Sequence, residues 1–122
     1  MKLLDLNFLG LPHTIGSYLM ESGSHKILIE TGPASVLTAF KEQLKTNNLS
    51  IGEISDVFLT HIHLDHSGGA WAFAQKKAQI YVHPRGVKHL VNPDKLIASA
   101  SMIYGAQMER LWGEINEIDA SK

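Results

Sequence analysis

Four side chains of the types that bind metal ions stand close together near the middle of the chain: His61, His63, Asp65 and His66. In an extended segment, residues i and i+2 point to the same side, so the first three would share one side and His66 would swing to a neighbouring position. Two imidazoles would then aim at one point, and a carboxylate with a third imidazole at another. Imidazole and carboxylate together suit Zn²⁺, and also iron or manganese.

The surroundings of this cluster favour a metal site over a polar loop. A single histidine here would be an ordinary loop residue, but three of the seven histidines fall within six positions. They follow the apolar run Val57-Phe58-Leu59 and precede Gly68-Gly69, whose glycines allow a tight bend. Two metal ions ~3.5–4 Å apart can share one bridging hydroxide. We expect the other four histidines to be ordinary surface residues, and these are His13, His25, His83 and His89.

The elements that must position the cluster can be predicted from apolar periodicity and from glycine and proline. Strands are predicted at Leu3–Leu9, Gly16–Glu21, Lys26–Glu30, Asp56–Thr60 and Gln79–His83. Helices are predicted at Pro33–Asn47, around Ala70–Ala74 and at Pro93–Trp112. The order, strands first and then alternation, predicts a mixed sheet with helices on one or both faces.

Burial patterns can be predicted within these elements. The run Val57-Phe58-Leu59 shows no polar alternation and predicts a strand covered on both faces. Helical spacing predicts inner faces formed by Leu37, Phe40, Leu44 and by Leu96, Ile97, Ala100, Ile103. We also expect core positions for Trp71, Trp112, Met102 and Met108, with a substrate pocket as the alternative for the two tryptophans.

Composition limits the classes of function. With 122 residues, 44% of them apolar, the chain can form one domain with a modest core. A net charge of −1 gives no reason to expect a nucleic-acid partner. No cysteine is present, which excludes disulfides and thiolate metal sites and fits a cytoplasmic location. No signal peptide and no apolar run of the ~20 residues that a membrane helix needs is seen, so no membrane partner is expected.

Two segments carry a resemblance to a known family. Thr60–Gly69 resembles the signature of the metallo-β-lactamase superfamily, and Ile27–Gly32 resembles its other motif, a strand ending in Asp-Thr-Gly. Glu30 stands where most members have aspartate. The stretch from Pro84 to Trp112 resembles a bacterial and archaeal branch of uncharacterised hydrolases.

The resemblance implies an α/β (α+β) fold, the αββα sandwich in which two sheets pack face to face between helices. Residues 1–122 would form one domain of this type that is truncated at its C-terminus and supplies about one βα half. One half alone would leave its inner sheet face bare. Since exposed apolar faces invite association, we expect a homo-oligomer or association with a missing C-terminal half.

The resemblance also implies a ligand set and a mechanism. His61 and His63 would bind the first metal, and Asp65 and His66 the second, with two Zn²⁺ per complete site. The family's remaining ligands, two histidines and a bridging aspartate, have no matching position here. A metal-activated hydroxide would attack the ester, thioester, lactone or amide carbonyl of a small-molecule substrate. Asp65 would be the catalytic residue that orients the nucleophile or carries a proton.

Two other functions stay open beside the metal-dependent hydrolase. The first is an iron-dependent dioxygenase or redox relative, because the same ligands can hold iron. The second is an inactive, truncated module that acts by association. Because each metal would receive only two ligands from these 122 residues, we expect activity in a full-length parent and none in this chain alone.

Overall fold

A computed structural model describes all residues from Met1 to Lys122. Five strands form one mixed sheet in the sequential order β1-β2-β3-β4-β5. The strands are β1 (Lys2–Asp5), β2 (Gly16–Ser22), β3 (His25–Ile29), β4 (Asp56–Phe58) and β5 (Gln79–Tyr81). The first three strands are antiparallel neighbours, whereas β4 runs parallel to both β3 and β5.

Six α-helices accompany the sheet. They are α1 (Leu37–Thr46), α2 (Leu64–Ser67), α3 (Ala70–Gln75), α4 (Pro84–Val91), α5 (Asp94–Tyr104) and α6 (Met108–Trp112). Short 3₁₀ turns cover Phe8–Gly10, Ala34–Val36, Ile51–Glu53 and Gly105–Gln107. No helix is long and apolar enough to cross a membrane.

Most predicted elements are confirmed, with shifted ends. The hairpin turn at Gly23 joins β2 to β3, where Ser22 pairs with His25. The predicted first strand ends at Asp5, and a 3₁₀ turn at Phe8–Gly10 takes the place of its second half. The predicted helix at 93–112 is broken at Gly105, which has a positive φ of 50°.

One face of the sheet is closed by helices. Its alternate strand residues are at most 3% exposed, and they are Leu4, Leu19, Leu28 and Val57. Phe40 of α1 and Phe73 of α3 pack against this face and meet edge to face, with ring centroids 5.1 Å apart. The inner face predicted for the first helix is confirmed, with Phe40 and Leu44 buried and Leu37 packed against the core.

The opposite face of the sheet is open and apolar. Leu3 is 63% exposed, and Tyr18, Phe58 and Tyr81 are each 43% exposed. The rings of Phe58 and Tyr81 stack with centroids 4.4 Å apart. The prediction that the β4 run is covered on both faces is therefore wrong for Phe58, because helices pack on only one side of this sheet. We call the side formed by Leu3, Tyr18, Phe58 and Tyr81 the open face.

The predicted inner face of the C-terminal helix is partly wrong. Ala100 is buried, but Ile103 is 76% exposed and Met102 is also exposed. α5 packs on neighbouring helices rather than on the sheet, so its last turn has little protein to cover it. Trp71 packs against the core, as expected.

Candidate metal centre

The predicted metal-binding residues lie where the chain leaves β4 and enters α2. Residues from Leu59 to His63 are irregular, and His63 is the residue that precedes the first turn of α2. Asp65 and His66 are therefore helical, and the assumption that Asp65 continues an extended segment is wrong. The short helix turns the chain back, which brings Asp65 and His66 to the same end of β4 as His61.

The four side chains form one cluster. The ring centroids of His61 and His63 are 4.8 Å apart, and those of His61 and His66 are 4.0 Å apart. Nε2 of His66 lies 3.3 Å from Oδ2 of Asp65. His61 and His63 are exposed, whereas Asp65 and His66 are half-buried. The sequence thus identifies four groups that the fold does bring together.

Neighbouring oxygens orient two of the imidazoles. Nδ1 of His61 lies 2.8 Å from the hydroxyl oxygen of Thr60. Nδ1 of His66 lies 3.2 Å from Oε2 of Glu30. The other ring nitrogen of His66, Nε2, faces Asp65. A carboxylate behind a metal-ligating histidine commonly holds the ring orientation of that histidine.

Glu30 has a larger role here than its departure from the family's aspartate suggests. Its other oxygen, Oε1, accepts a hydrogen bond of 3.0 Å from the backbone N–H of Thr60. Glu30 is buried and has a positive φ of 69°, a backbone conformation that non-glycine residues adopt rarely. Oε2 is buried without a hydrogen bond of good geometry, so the His66 ring is its nearest partner.

The backbone around α2 is held by a second set of contacts. The N–H of Thr31 donates to the carbonyl of His66 at 2.9 Å, and the Thr31 hydroxyl donates to the same oxygen at 3.1 Å. Gly68 packs so closely that an added Cβ would lie 2.6 Å from the carbonyl oxygen of Leu64 and 3.1 Å from Cα of Pro33. Glycine is therefore required at this position.

The donor set fits a divalent metal, but these residues supply only part of a coordination shell. Imidazole nitrogen and carboxylate oxygen are the donors that Zn²⁺ takes when cysteine is absent. No three histidine, aspartate or glutamate side chains are arranged so that they could hold one metal ion by themselves.

Asp65 lies between two cavities of different character. A cavity of about 410 Å³ lies beside His63 and Asp65 and is lined by apolar groups of α5 and α6. A groove of about 620 Å³ lies on the other side, along the open face, and contains Asp5, His13 and Glu30. The cluster is thus reached from an apolar cavity and from a groove that combines charged and apolar side chains.

The other histidines lie outside the cluster. Nδ1 of His25 contacts Oδ2 of Asp56 at 2.5 Å, at the far end of β4. His83 precedes α4, and its Nδ1 accepts from the N–H of Arg85 at 3.1 Å. The backbone N–H of His13 donates to Asp5 at 3.0 Å.

Comparison with known proteins gives the family. The model of the metallo-β-lactamase superfamily matches residues 12–119, which is most of the chain. The chain therefore belongs to the metallo-β-lactamase superfamily. A curated relative, the lactamase-like protein adaB of Aspergillus niger, is 49% identical over 55 residues, which are 43% of this chain and 16% of that protein.

Solved structures agree on the fold. The native FEZ-1 metallo-β-lactamase from Legionella gormanii superposes with a TM-score of 0.67 at 18% identity, covering 96% of this chain and 41% of that one. The Rm3 metallo-β-lactamase superposes with a TM-score of 0.58 at 20% identity, covering 63% of this chain and 29% of that one. This chain thus spans less than half of the length of these two relatives.

Proposed function

We propose that this chain provides the first metal-binding half of a metal-dependent hydrolase that acts on the carbonyl of a small-molecule substrate. The observation that carries the proposal is the cluster at the end of β4, where three imidazoles and one carboxylate lie within 5 Å of a neighbour. His61 and His63 would hold one metal ion, and Asp65 and His66 a second. The superfamily match supports this assignment.

Zinc is the metal that this donor set favours, with iron or manganese as substitutes. A bound divalent metal supplies a Lewis acid and lowers the pKa of water that it binds, so that a nucleophile is available at neutral pH. Asp65 sits at the junction of both cavities, where its carboxylate can orient that nucleophile or accept a proton. Glu30 keeps the His66 ring in place, and Thr60 does the same for His61.

Iron-dependent oxidation is the second candidate function, because the same donors hold iron. Metal analysis of the purified whole protein separates the two candidate functions. Zinc at stoichiometric amounts supports the hydrolase, whereas iron together with oxygen consumption supports the iron-dependent dioxygenase. Replacement of His61 or His63 by alanine in the whole protein is expected to abolish metal-dependent hydrolysis of esters, thioesters or lactones. Full activity in those variants would refute the assignment.

We propose further that the whole protein covers the open face with a second apolar layer, supplied by the part of the fold that the structural relatives have in addition. Support comes from the exposed rings of Tyr18, Phe58 and Tyr81 and from the 41% share of FEZ-1 that this chain spans. This chain alone is then expected to associate through the open face at micromolar concentration, because bare apolar surface favours association. Sedimentation velocity tests this, and a monomer at all concentrations would contradict it.

A further inference from the structure

A polar cavity lies at the corner between α4 and α5, and the proposed function gives it no role. Its volume is about 230 Å³, and four side chains line it, none of them apolar and none of them acidic. They are Lys88, His89, Asn92 and Lys95. A lysine ammonium group can only donate hydrogen bonds, and the amide of asparagine and the imidazole of histidine can each donate as well. The lining thus combines two positive charges with two further donors, which is the chemistry of an anion site.

The two lysine charges of this cavity have no partner in the fold. Neither Lys88 nor Lys95 forms an ion pair with a carboxylate of the chain. Asp94 is adjacent to Lys95 in sequence, but it lines a different groove, beside α3, and does not line this cavity. Both ammonium groups are therefore available to an anion from solution.

The sequence around the cavity contains almost no acid. Residues 66–93 include four lysines or arginines and no aspartate or glutamate, although the whole chain has a net charge of −1. Arg85 lies three positions before Lys88 on α4, and residues three apart are neighbours on a helix surface. The positive charge at this corner is therefore reinforced by its neighbours in the chain instead of being cancelled by them.

The backbone of the corner is held by hydrogen bonds to Asn92. The N–H of Asn92 donates to the carbonyl of Lys88 at 3.0 Å, and the N–H of Asp94 donates to the side-chain Oδ1 of Asn92 at 3.2 Å. Because Oδ1 is engaged in this way, the side-chain NH₂ is the group that Asn92 can offer to a ligand. Donors that are already held in place lose little conformational freedom on binding.

The start of α5 adds to the positive potential. This helix has 11 residues and begins at Asp94, so Lys95 lies in its first turn. The backbone N–H groups of Lys95 and Leu96 donate to no backbone carbonyl, as is usual at the beginning of a helix. A helix carries a partial positive charge at this end, which favours anions. The side chains of the cavity and the adjoining backbone therefore favour the same kind of ligand.

We infer that the cavity formed by Lys88, His89, Asn92 and Lys95 binds the phosphate group of a small organic phosphate or diphosphate. Two ammonium groups match the charge of about −1.5 to −2 that a phosphate monoester carries at neutral pH. The amide of Asn92 and the ring of His89 can donate to its remaining oxygens. This inference goes beyond the proposed function and does not depend on the metal centre.

Inorganic diphosphate is the probe, because it carries the charge of the proposed ligand and no apolar part. The chain is first freed of metal ions on a chelating resin, since a bound metal ion would itself attract diphosphate. A titration at neutral pH and constant ionic strength is followed by ¹H–¹⁵N NMR. The backbone signals of the four lining residues are expected to shift with one common dissociation constant in the millimolar range, while those of His61 and His63 stay.

Two double variants with the same change in charge make the test specific. Lys88→Gln with Lys95→Gln removes both charges from the cavity at exposed positions, so the fold should persist, and diphosphate is expected to bind about tenfold more weakly. Lys76→Gln with Lys77→Gln removes two exposed charges just after α3, outside the cavity, and should change the affinity less than about twofold. Lys88→Arg with Lys95→Arg keeps both charges and should retain binding.

Three outcomes would overturn the inference. The first is equal weakening in the two double glutamine variants, because binding would then depend on net charge alone. The second is the absence of shifts at the four lining residues, or shifts that sodium chloride reproduces at the same ionic strength. The third is a single-stranded oligonucleotide that binds more tightly than diphosphate and is weakened in both double glutamine variants, because the basic segment would then be a nucleic-acid surface.

Discussion

Histidine and aspartate occur together at both ends of β4, but their partners differ. At the start of the strand, Asp56 is only 8% exposed and accepts hydrogen bonds from Ser55 at 2.6 Å and from the ring of His25. These bonds, led by that from Ser55, hold the pKa of the Asp56 carboxyl below its ordinary value of 3.8. The carboxyl of Asp56 and Nδ1 of His25 therefore each have a protein partner at this end of the strand.

At the other end, the same residue types are left open. Nδ1 of His61 and Nδ1 of His66 contact protein oxygens, and no protein hydrogen bond reaches the Nε2 of His61. Asp65 contacts Nε2 of His66 at 3.3 Å and lies between two cavities. The comparison shows that residue type alone does not mark a site. Groups that satisfy one another stabilise the fold, whereas groups whose lone pairs stay free are available to bind a ligand.

The largest expected loss of stability comes from disturbing the tight packing after α2, at the end of β4 that carries the candidate metal centre. Gly68→Ala forces a Cβ against the carbonyl of Leu64 and the backbone of Pro33, and backbone atoms cannot move aside easily. We expect a loss in the free energy of unfolding near or above ~3 kcal/mol, the upper part of the range for overpacking. Urea denaturation followed by circular dichroism measures it.

Gly52→Ala is the matched control for that variant. An added Cβ at Gly52 meets nothing closer than the hydroxyl of Ser50 at 3.9 Å. Its unfolding free energy should match that of the wild type. Equal stability of the Gly68 and Gly52 variants would contradict the tight packing described for α2.

A smaller loss in the free energy of unfolding is expected from Asp56→Asn, at the start of β4. The change removes the charge that Ser55 and His25 bond to, and hydrogen bonds to charged groups contribute about 1.5–3 kcal/mol when buried. Because His25 is largely exposed, we expect roughly 1–2 kcal/mol. Glu42→Gln, at an exposed position of α1, is the control and should be neutral. A destabilised Glu42 variant would show that the assay reports net charge instead.

The pH dependence of stability tests whether the ionised carboxyl of Asp56 stabilises the fold. The pKa of Asp56 is lower in the folded chain than its unfolded value of 3.8, so the stabilisation is complete above that value and is lost as the pH falls below it. The wild type should therefore lose stability more steeply than Asp56→Asn on acidification. Asp5 and Asp119, whose pKa values are also lowered, are present in both proteins and do not affect the difference. Parallel curves of stability against pH for the two proteins would contradict the lowered pKa described for Asp56.

Some of this could be predicted from the sequence and some could not. The H-x-H-x-D-H spacing and the apolar run at 57–59 identify the four clustered residues, because they are close in sequence. The exposure of Phe58 and Ile103 depends on which elements pack against them, and local periodicity carries no such information. The contact between Glu30 and His66 joins residues far apart in the chain. The only sequence signal for this contact is the position of Glu30 before Thr31-Gly32, in a motif that resembles the one found in the family.

Metal binding at the open end of β4 tests the central claim most directly. Zn²⁺ is titrated calorimetrically into the wild-type chain, into His61→Ala and His63→Ala, and into His25→Ala and Asp56→Asn at the other end. We predict that the wild type binds zinc weakly but measurably. Binding should be lost in His61→Ala and His63→Ala, whose free energy of unfolding should stay within about 0.5 kcal/mol of the wild type. Binding should be retained in His25→Ala and Asp56→Asn. Zinc binding that persists when His61, His63, Asp65 and His66 are all replaced, or that disappears with His25, would contradict the account.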